Sequence, residues 1–267
     1  MASIDSAFAG SIPAIYNRCL GPMLFEPYAL DLARRVAPLR PRALLETAAG
    51  TGIVTAALAE ALPETDIVAT DLNQAMLDVA AERIASPRVA FQAADAQSLP
   101  FADDGFDAVV CQFGVMFFPD RVGAYREARR VLRGDGAFIF NAWDSLDANP
   151  ASKAMAEAMG EVFPDDPPSF LQRTPFGYHD PSRIEADLRA AGFSDISFET
   201  VVLPCRASSA HEAATGMCRG SPLRAEIEAR DATRLDAAVE AAAKALERLS
   251  GPALDVDMSA HVFTARV

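Results

Sequence analysis

Residues 44–55, L-L-E-T-A-A-G-T-G-I-V-T, constrain this chain more than any other stretch. A short apolar run ends at Glu46. Gly50 and Gly52 follow, and then Ile53, Val54, Ala57, Leu58, Ala61 and Leu62 recur at three- and four-residue spacing until Pro63. That pattern reads as a strand, a glycine turn and a helix. Glycines between strand and helix let a ligand approach the backbone, and the unpaired N–H groups of the helix start favour an anionic group. The turn predicts a site for a ligand carrying a carboxylate or phosphate.

The neighbouring residues narrow the ligand. A dinucleotide-binding turn requires G-x-G-x-x-G, and this chain has Thr55 where the third glycine belongs. A carboxylate at Glu46 would repel a pyrophosphate but suits a ligand with an ammonium or sulfonium charge near its own carboxylate. The run E-T-A-A-G-T-G resembles the first motif, E/D-x-G-x-G-x-G, of the class I S-adenosylmethionine-dependent methyltransferases, with Ala48 where that family usually has glycine. The resemblance implies that Glu46, Thr47, Ala48, Gly50 and Gly52 contact S-adenosylmethionine, with the Ala48 methyl narrowing the approach.

A second strand over 66–71 ends in Asp71, 21 residues beyond Gly50, and a helix over 73–85 carries Met76, Leu77, Ala80 and Ile84 on one face. In a doubly wound sheet Asp71 would stand beside the glycine turn and accept from both ribose hydroxyls, which suits adenosyl and NAD ligands alike. The alternative is a cap on the following helix. A third strand, 89–94, leads into Asp95-Ala96-Gln97, then Leu99-Pro100-Phe101, and Phe106-Asp107 opens a fourth strand over 108–113. This block is similar to the small-molecule methyltransferases related to the ubiquinone and menaquinone C-methyltransferases. By that resemblance Asp95 accepts from the adenine amino group, the Ala96 N–H donates to the ring, Gln97 completes this loop, and Leu72 and Met76 flank the ring. Gln112, Phe113 and Gly114 would contact the methionine portion and begin the acceptor pocket. Phe117 and Phe118 suit either the core or that pocket.

Residues 1–40 hold short helical patterns, with Phe8, Ile12, Ile15 and Tyr16 in one and a helix over 28–36 in another, punctuated by Gly21 and Pro22. Such a segment can cover a sheet edge or a helix face. The family resemblance instead lays it across the cofactor mouth, which would add Tyr16 to the cofactor contacts. A helix over 121–133 closed by Gly134 precedes a fifth strand, 137–143. Beyond Trp143 come a helix over 151–162, a proline-rich stretch, and a helix with Asp180 as N-cap, Pro181 at its first position, Ile184 and Leu188 buried and Gly192 as its stop. A sixth strand over 196–203, helices within 208–250 and a last strand over 259–267 complete the pattern. The family's sheet inserts its final strand antiparallel between the fifth and sixth. The expected fold is therefore α/β, a Rossmann-like seven-stranded doubly wound sheet with an antiparallel last strand and a helical cap. We expect one domain over 1–267: cap 1–40, cofactor-binding core 41–146, the sixth strand with cap helices 147–256, and the last strand 257–267.

Methyl transfer asks little of a protein beyond alignment and exclusion of water, because the cofactor carries the activated group. A weakly nucleophilic acceptor needs a general base, and among the histidines His179, beside Tyr178 and Asp180 in the proline-rich cap, is the candidate catalytic residue. His261 reads as packed in the last strand and His211 as exposed. No histidine or cysteine has metal-ligand spacing, and no phosphate loop or nucleophile elbow occurs. With 51% hydrophobic residues the chain can bury a sizeable core, while a net charge of −13 opposes nucleic acid as acceptor. The widely spaced Cys19, Cys111, Cys205 and Cys218 read as reduced thiols, no apolar run reaches the ~18 residues of a membrane span, and no signal segment is evident. These features suit a cytoplasmic protein, and the family resemblance implies an enzyme that transfers a methyl group from S-adenosylmethionine to a small-molecule acceptor. The alternatives are an NAD-linked oxidoreductase and a non-catalytic S-adenosylmethionine-binding protein.

Overall fold

The computed structural model describes residues 12–267; Phe8 lies outside them. In chain order, α1 (Ile12–Ile15) runs through a π-helix, Tyr16–Phe25, into α2 (Glu26–Val36). Next come β1 (Ala43–Glu46), α3 (Ile53–Ala61), β2 (Asp66–Asp71), α4 (Gln74–Arg83), β3 (Val89–Ala93) and β4 (Phe106–Gln112). α5 (Arg121–Val131), β5 (Leu132–Trp143), α6 (Pro150–Val162), α7 (Phe170–Arg173), α8 (Pro181–Ala190) and β6 (Asp195–Ala207) follow. After these are α9 (Ala210–Arg219), α10 (Leu223–Asp231), α11 (Leu235–Ser250) and β7 (Leu254–Arg266). The chain forms two compact units. One contains residues 28–143, 178–201 and 260–267; the other contains the described part of 1–27 with 144–177 and 202–259.

The strands form one sheet in the order β3-β2-β1-β4-β5-β7-β6. β1 lies parallel between β2 and β4, with Glu46 opposite Ala69 and Val110. β5 continues parallel to β4, and β7 runs antiparallel beside it with Ala142 opposite His261. The strand order reverses at β1, so the carboxyl ends of β1, β2 and β4 share the edge of one crevice. Leu44, Leu45, Ala108, Val109 and Val110 are fully buried, which is why these inner parallel strands read as continuous apolar runs rather than as alternation. Asp107 ties the strand starts together: its carboxylate accepts from the Arg42 and Ala43 N–H groups at 2.8 and 2.9 Å and pairs with Arg133. Burial alone would raise its pKa, but these donors outweigh that and lower it. The motif residue Asp107 thus anchors the sheet.

The first unit also holds α5 against α8, each helix begun by an aspartate cap. Asp120 accepts from the Gly123 N–H and Asp180 from the Ser182 N–H. In the second unit α11 packs on α6 and α9, and α9 on the π-helix. Glu226, 7% exposed, holds the proline-rich stretch there, accepting from the Arg173 guanidinium at 2.7 Å and from the Ser169 N–H at 2.8 Å.

Several boundaries differ from the pattern reading. Gly21 and Pro22 do not interrupt the N-terminal segment. Both lie inside the π-helix, whose wider spacing lets the Glu26 N–H reach the Gly21 carbonyl. β5 begins at Leu132, ahead of Gly134, because a bulge lets Phe106 pair with Leu132 and Ala108 with Ala137. β7 begins at Leu254, where buried Leu254 precedes alternating exposed Asp255 and Asp257, a period-two signal that the two acids obscure.

Candidate active site

The turn after β1 is built from left-handed backbone. Ala48, Gly50 and Gly52 have φ of +54°, +57° and +76°, a region open to glycine but disfavoured once a Cβ is present. Ladder-like bonds hold the turn on both sides: the Thr47 N–H donates to the Val110 carbonyl and the Ala49 N–H to the Thr70 carbonyl, both at 2.9 Å. The Gly50 N–H donates to Asp71 Oδ2 at 2.8 Å, and the Asn73 N–H donates to Oδ1 at 2.8 Å. Asp71 therefore holds the glycine turn and fixes Asn73, the residue that precedes α4, without capping the helix itself. The Asn73 side-chain amide also donates to Oδ1, at 3.4 Å. Burial pushes the Asp71 pKa up.

Glu46 is 1% exposed and accepts from the Thr55 hydroxyl at 2.6 Å. Burial, countered by that bond and assisted by the charge of Asp71, pushes its pKa up to about 8. Thr55 fills the place of the third dinucleotide glycine with a buried, hydrogen-bonded side chain. The sequence reading missed this partnership, since residues nine apart on a strand and a helix share no periodic signal.

The loop after β3 is brought beside Asp71 by the Ala94 N–H, which donates to the Asp71 carbonyl at 3.0 Å. Asp95 and Ala96 are half-buried. Asp95 Oδ1 accepts from the Gln97 N–H at 2.9 Å and from Gln97 Nε2 at 3.1 Å, while Gln97 Oε1 accepts from the Asp120 N–H. The Gln97 amide thus fixes Asp95 and the start of α5. Met76 is buried, with its Cε 3.5 Å from where a Gly50 Cβ would stand; Leu72 is 53% exposed beside it.

After β4, Phe113 also adopts left-handed backbone, φ +51°, held by its N–H donating to Asn141 Oδ1 at 2.9 Å. Its ring stacks on Trp143 at 3.8 Å and meets Tyr28 edge-on at 5.2 Å, and the Tyr28 hydroxyl donates to the Val201 carbonyl. Gln112 is half-buried and Gly114 buried in the same loop, with Phe117 and Phe118 half-buried after it. Tyr28, Trp143 and Asn141 were not singled out from sequence. The lone tryptophan at a strand end was the available signal.

The cap residues separate. Tyr178, the neighbour of His179, is fully buried. Its hydroxyl donates to Asp187 Oδ2 at 2.7 Å and lies 3.3 Å from the Tyr125 hydroxyl, and Arg121 covers its ring at 4.3 Å. Tyr178 is a packing element between α5 and α8. His179 beside it is exposed. Tyr16 belongs to the other unit, stacked on Phe25 at 4.9 Å. His261 is buried in β7 and His211 exposed near Glu240. All four cysteines are buried thiols. Among the described residues no His, Cys, Asp and Glu group could hold a metal ion, and no helix is long and apolar enough to cross a membrane.

An acidic strand end, a left-handed turn and a second acid gripping that turn thus stand together at the carboxyl ends of β1 and β2. A methyltransferase-domain family profile matches residues 45–140. A demethylmenaquinone methyltransferase of Clavibacter sepedonicus is 32% identical over 173 residues, 61% of this chain and 70% of that protein. The chain belongs to the S-adenosylmethionine-dependent methyltransferases. Another such relative, a demethylmenaquinone methyltransferase of Deinococcus radiodurans, is 27% identical and covers 72% of this chain and 85% of its own. The fold matches phosphoethanolamine N-methyltransferase 2 of Haemonchus contortus, in complex with phosphomonomethylethanolamine and S-adenosylhomocysteine, with a TM-score of 0.62 and 17% identity over 95% of this chain and 56% of that one. This methyltransferase moves a methyl group from S-adenosylmethionine to a small-molecule acceptor; neither an NAD-linked nor a non-catalytic reading finds support.

Proposed function

We propose that the cofactor lies across the carboxyl ends of β1 and β2 and the loop after β3. Asp71 carries this reading: its carboxylate stands at the end of β2 beside the glycine turn and already accepts from the Gly50 and Asn73 N–H groups, which supports a place for it at the ribose. In this reading Asp95 accepts from the adenine amino group, the Ala96 N–H donates to the ring, Gln97 holds the loop, and Leu72 and Met76 supply apolar surface. Glu46, Thr47, Ala48, Gly50 and Gly52 frame the methionine end, with Gln112, Phe113 and Gly114 on the acceptor side. When bound, the cofactor supplies a methyl group activated on sulfur. The chain aligns the reactants and excludes water.

For the acceptor we infer a planar aromatic ring of quinol type, methylated at carbon. The two relatives named as demethylmenaquinone methyltransferases support the ring, and a further relative named as a ubiquinone/menaquinone biosynthesis C-methyltransferase supports carbon. An acceptor that must lose a proton uses His179 as base, an exposed ring that exchanges its proton with water. The whole chain acts as one methyltransferase domain, since each compact unit is assembled from separate chain segments. It works in the cytoplasm on a small molecule and not on nucleic acid, in keeping with its net charge of −13. The test supplies carbon-13 methyl-labelled cofactor with a quinol and a matching monophenol and locates the label by NMR. A ring-carbon methyl is expected; label on oxygen or nitrogen would remove the carbon-acceptor reading. His179→Ala is expected to lower kcat by about a hundredfold with S-adenosylhomocysteine affinity unchanged; unchanged kcat would remove His179 from the chemistry.

A further inference from the structure

We propose that Ala48 and Gly114 are a matched pair that sets the separation between the turn after β1 and the loop after β4, and thereby tunes binding at the methionine end of the cofactor. The two strands are sheet neighbours. Neither ends in relaxed backbone, since Ala48 and Phe113 both hold positive φ. Non-glycine residues stay in that region only where their surroundings over-determine it. Here Thr47 and Ala49 are pinned to Val110 and Thr70, and Phe113 to the fully buried Asn141.

Gly114 itself has φ −96°, an ordinary value for any residue, so its backbone does not call for glycine. The space around it does. A Cβ at residue 114 would lie 2.5 Å from the Ala48 Cβ and 2.7 Å from Cys111 Sγ, whereas touching carbons stand about 3.5–4.0 Å apart. The Ala48 methyl occupies the volume that a side chain at 114 would need. The sulfur of buried Cys111 forms the third wall. Two buried loops are thus spaced by one methyl group. In such packing a change at either position alone alters the fit, whereas exchanging alanine and glycine between the two conserves volume. The methyl that distinguishes this chain from the usual motif points toward the loop after β4. The Asp95 loop follows β3, at the far side of β2 from β1, so the pair should act on one end of the ligand only.

This inference rests on the cofactor placement proposed above, and the ligands are chosen to tell the two apart. Calorimetric titrations use S-adenosylhomocysteine and adenosine, which lacks the amino-acid moiety. Wild type is expected to bind both. Gly114→Ala is expected to weaken S-adenosylhomocysteine about tenfold or more with adenosine within about twofold, and Ala48→Gly with Gly114→Ala to recover to within about threefold of wild type, Cys111 Sγ being able to turn aside. Ala48→Gly alone relieves the positive φ and folds regardless; it is expected to weaken S-adenosylhomocysteine about threefold and leave adenosine unchanged. Unchanged S-adenosylhomocysteine affinity in Ala48→Gly, parallel loss of both ligands, or no recovery in the double variant would overturn the pairing. A wild type that binds neither ligand would overturn the cofactor placement instead.

Discussion

The Asp71 carboxylate binds the Gly50 and Asn73 N–H groups at once, so its removal should be felt before any ligand arrives. Asp71→Ala is expected to lower the melting temperature of the ligand-free protein and to weaken S-adenosylhomocysteine by about a hundredfold, the equivalent of roughly 3 kcal/mol. A folded variant of unchanged affinity would reduce Asp71 to a support for the turn. Glu46 makes a prediction in pH. Its pKa rises from 4.5 in the unfolded chain to about 8 in the fold, chiefly through burial. Below pH 4.5 both states are protonated and Glu46 contributes no pH dependence. As pH rises toward 8 the unfolded chain has lost the proton that the fold keeps, and stability falls by at most about 1.4 kcal/mol per pH unit. Glu46→Gln should remove this decline, so urea midpoints of variant and wild type should diverge between pH 5 and pH 8 with the variant gaining. Parallel midpoints would mean the carboxyl is ionised in the fold.

At the scale of elements, α5 and α8 meet through the Tyr178 hydroxyl, placed between Asp187 and Tyr125. Tyr178→Phe leaves the ring under Arg121 but removes a hydrogen bond to a carboxylate, so a loss of about 2 kcal/mol in unfolding free energy is expected, with S-adenosylhomocysteine affinity unchanged. A fall in turnover without a fall in stability would assign Tyr178 to the acceptor instead. In the other unit, Glu226→Ala removes the acceptor of the Ser169 and Phe170 N–H groups, while the half-exposed Arg173 keeps its bond to the Ser169 hydroxyl. A destabilisation of about 2 kcal/mol by urea unfolding is expected, the cost of leaving buried backbone donors without an acceptor. A loss below about 1 kcal/mol would mark the network as a surface feature.

For the whole molecule the ligand itself is the lever, because whatever binds only the folded chain stabilises it. S-adenosylhomocysteine at a hundred times its Kd should add about 2.7 kcal/mol, visible as a rise in melting temperature, whereas NAD should produce none. The opposite preference would contradict the Glu46 and Thr55 arrangement, in which a buried acid and its hydroxyl partner stand where a pyrophosphate turn needs glycine.

Local periodicity and turn chemistry carried much of this protein. The strand, glycine turn and helix of 44–55, β2 ending in Asp71, the Asp180 cap of α8 and the acidic loop after β3 could all be read from residues in line, since each depends on neighbours within a few positions. The position of β7 between β5 and β6 came from family likeness. Only tertiary structure decided what distant residues do to one another: Thr55 closing on Glu46, Asn141 holding Phe113 in left-handed backbone, Tyr178 turning inward to Asp187, and the Ala48 methyl filling the space at Gly114. These contacts join residues on different elements, where sequence separation leaves no periodic trace and close packing allows only one arrangement.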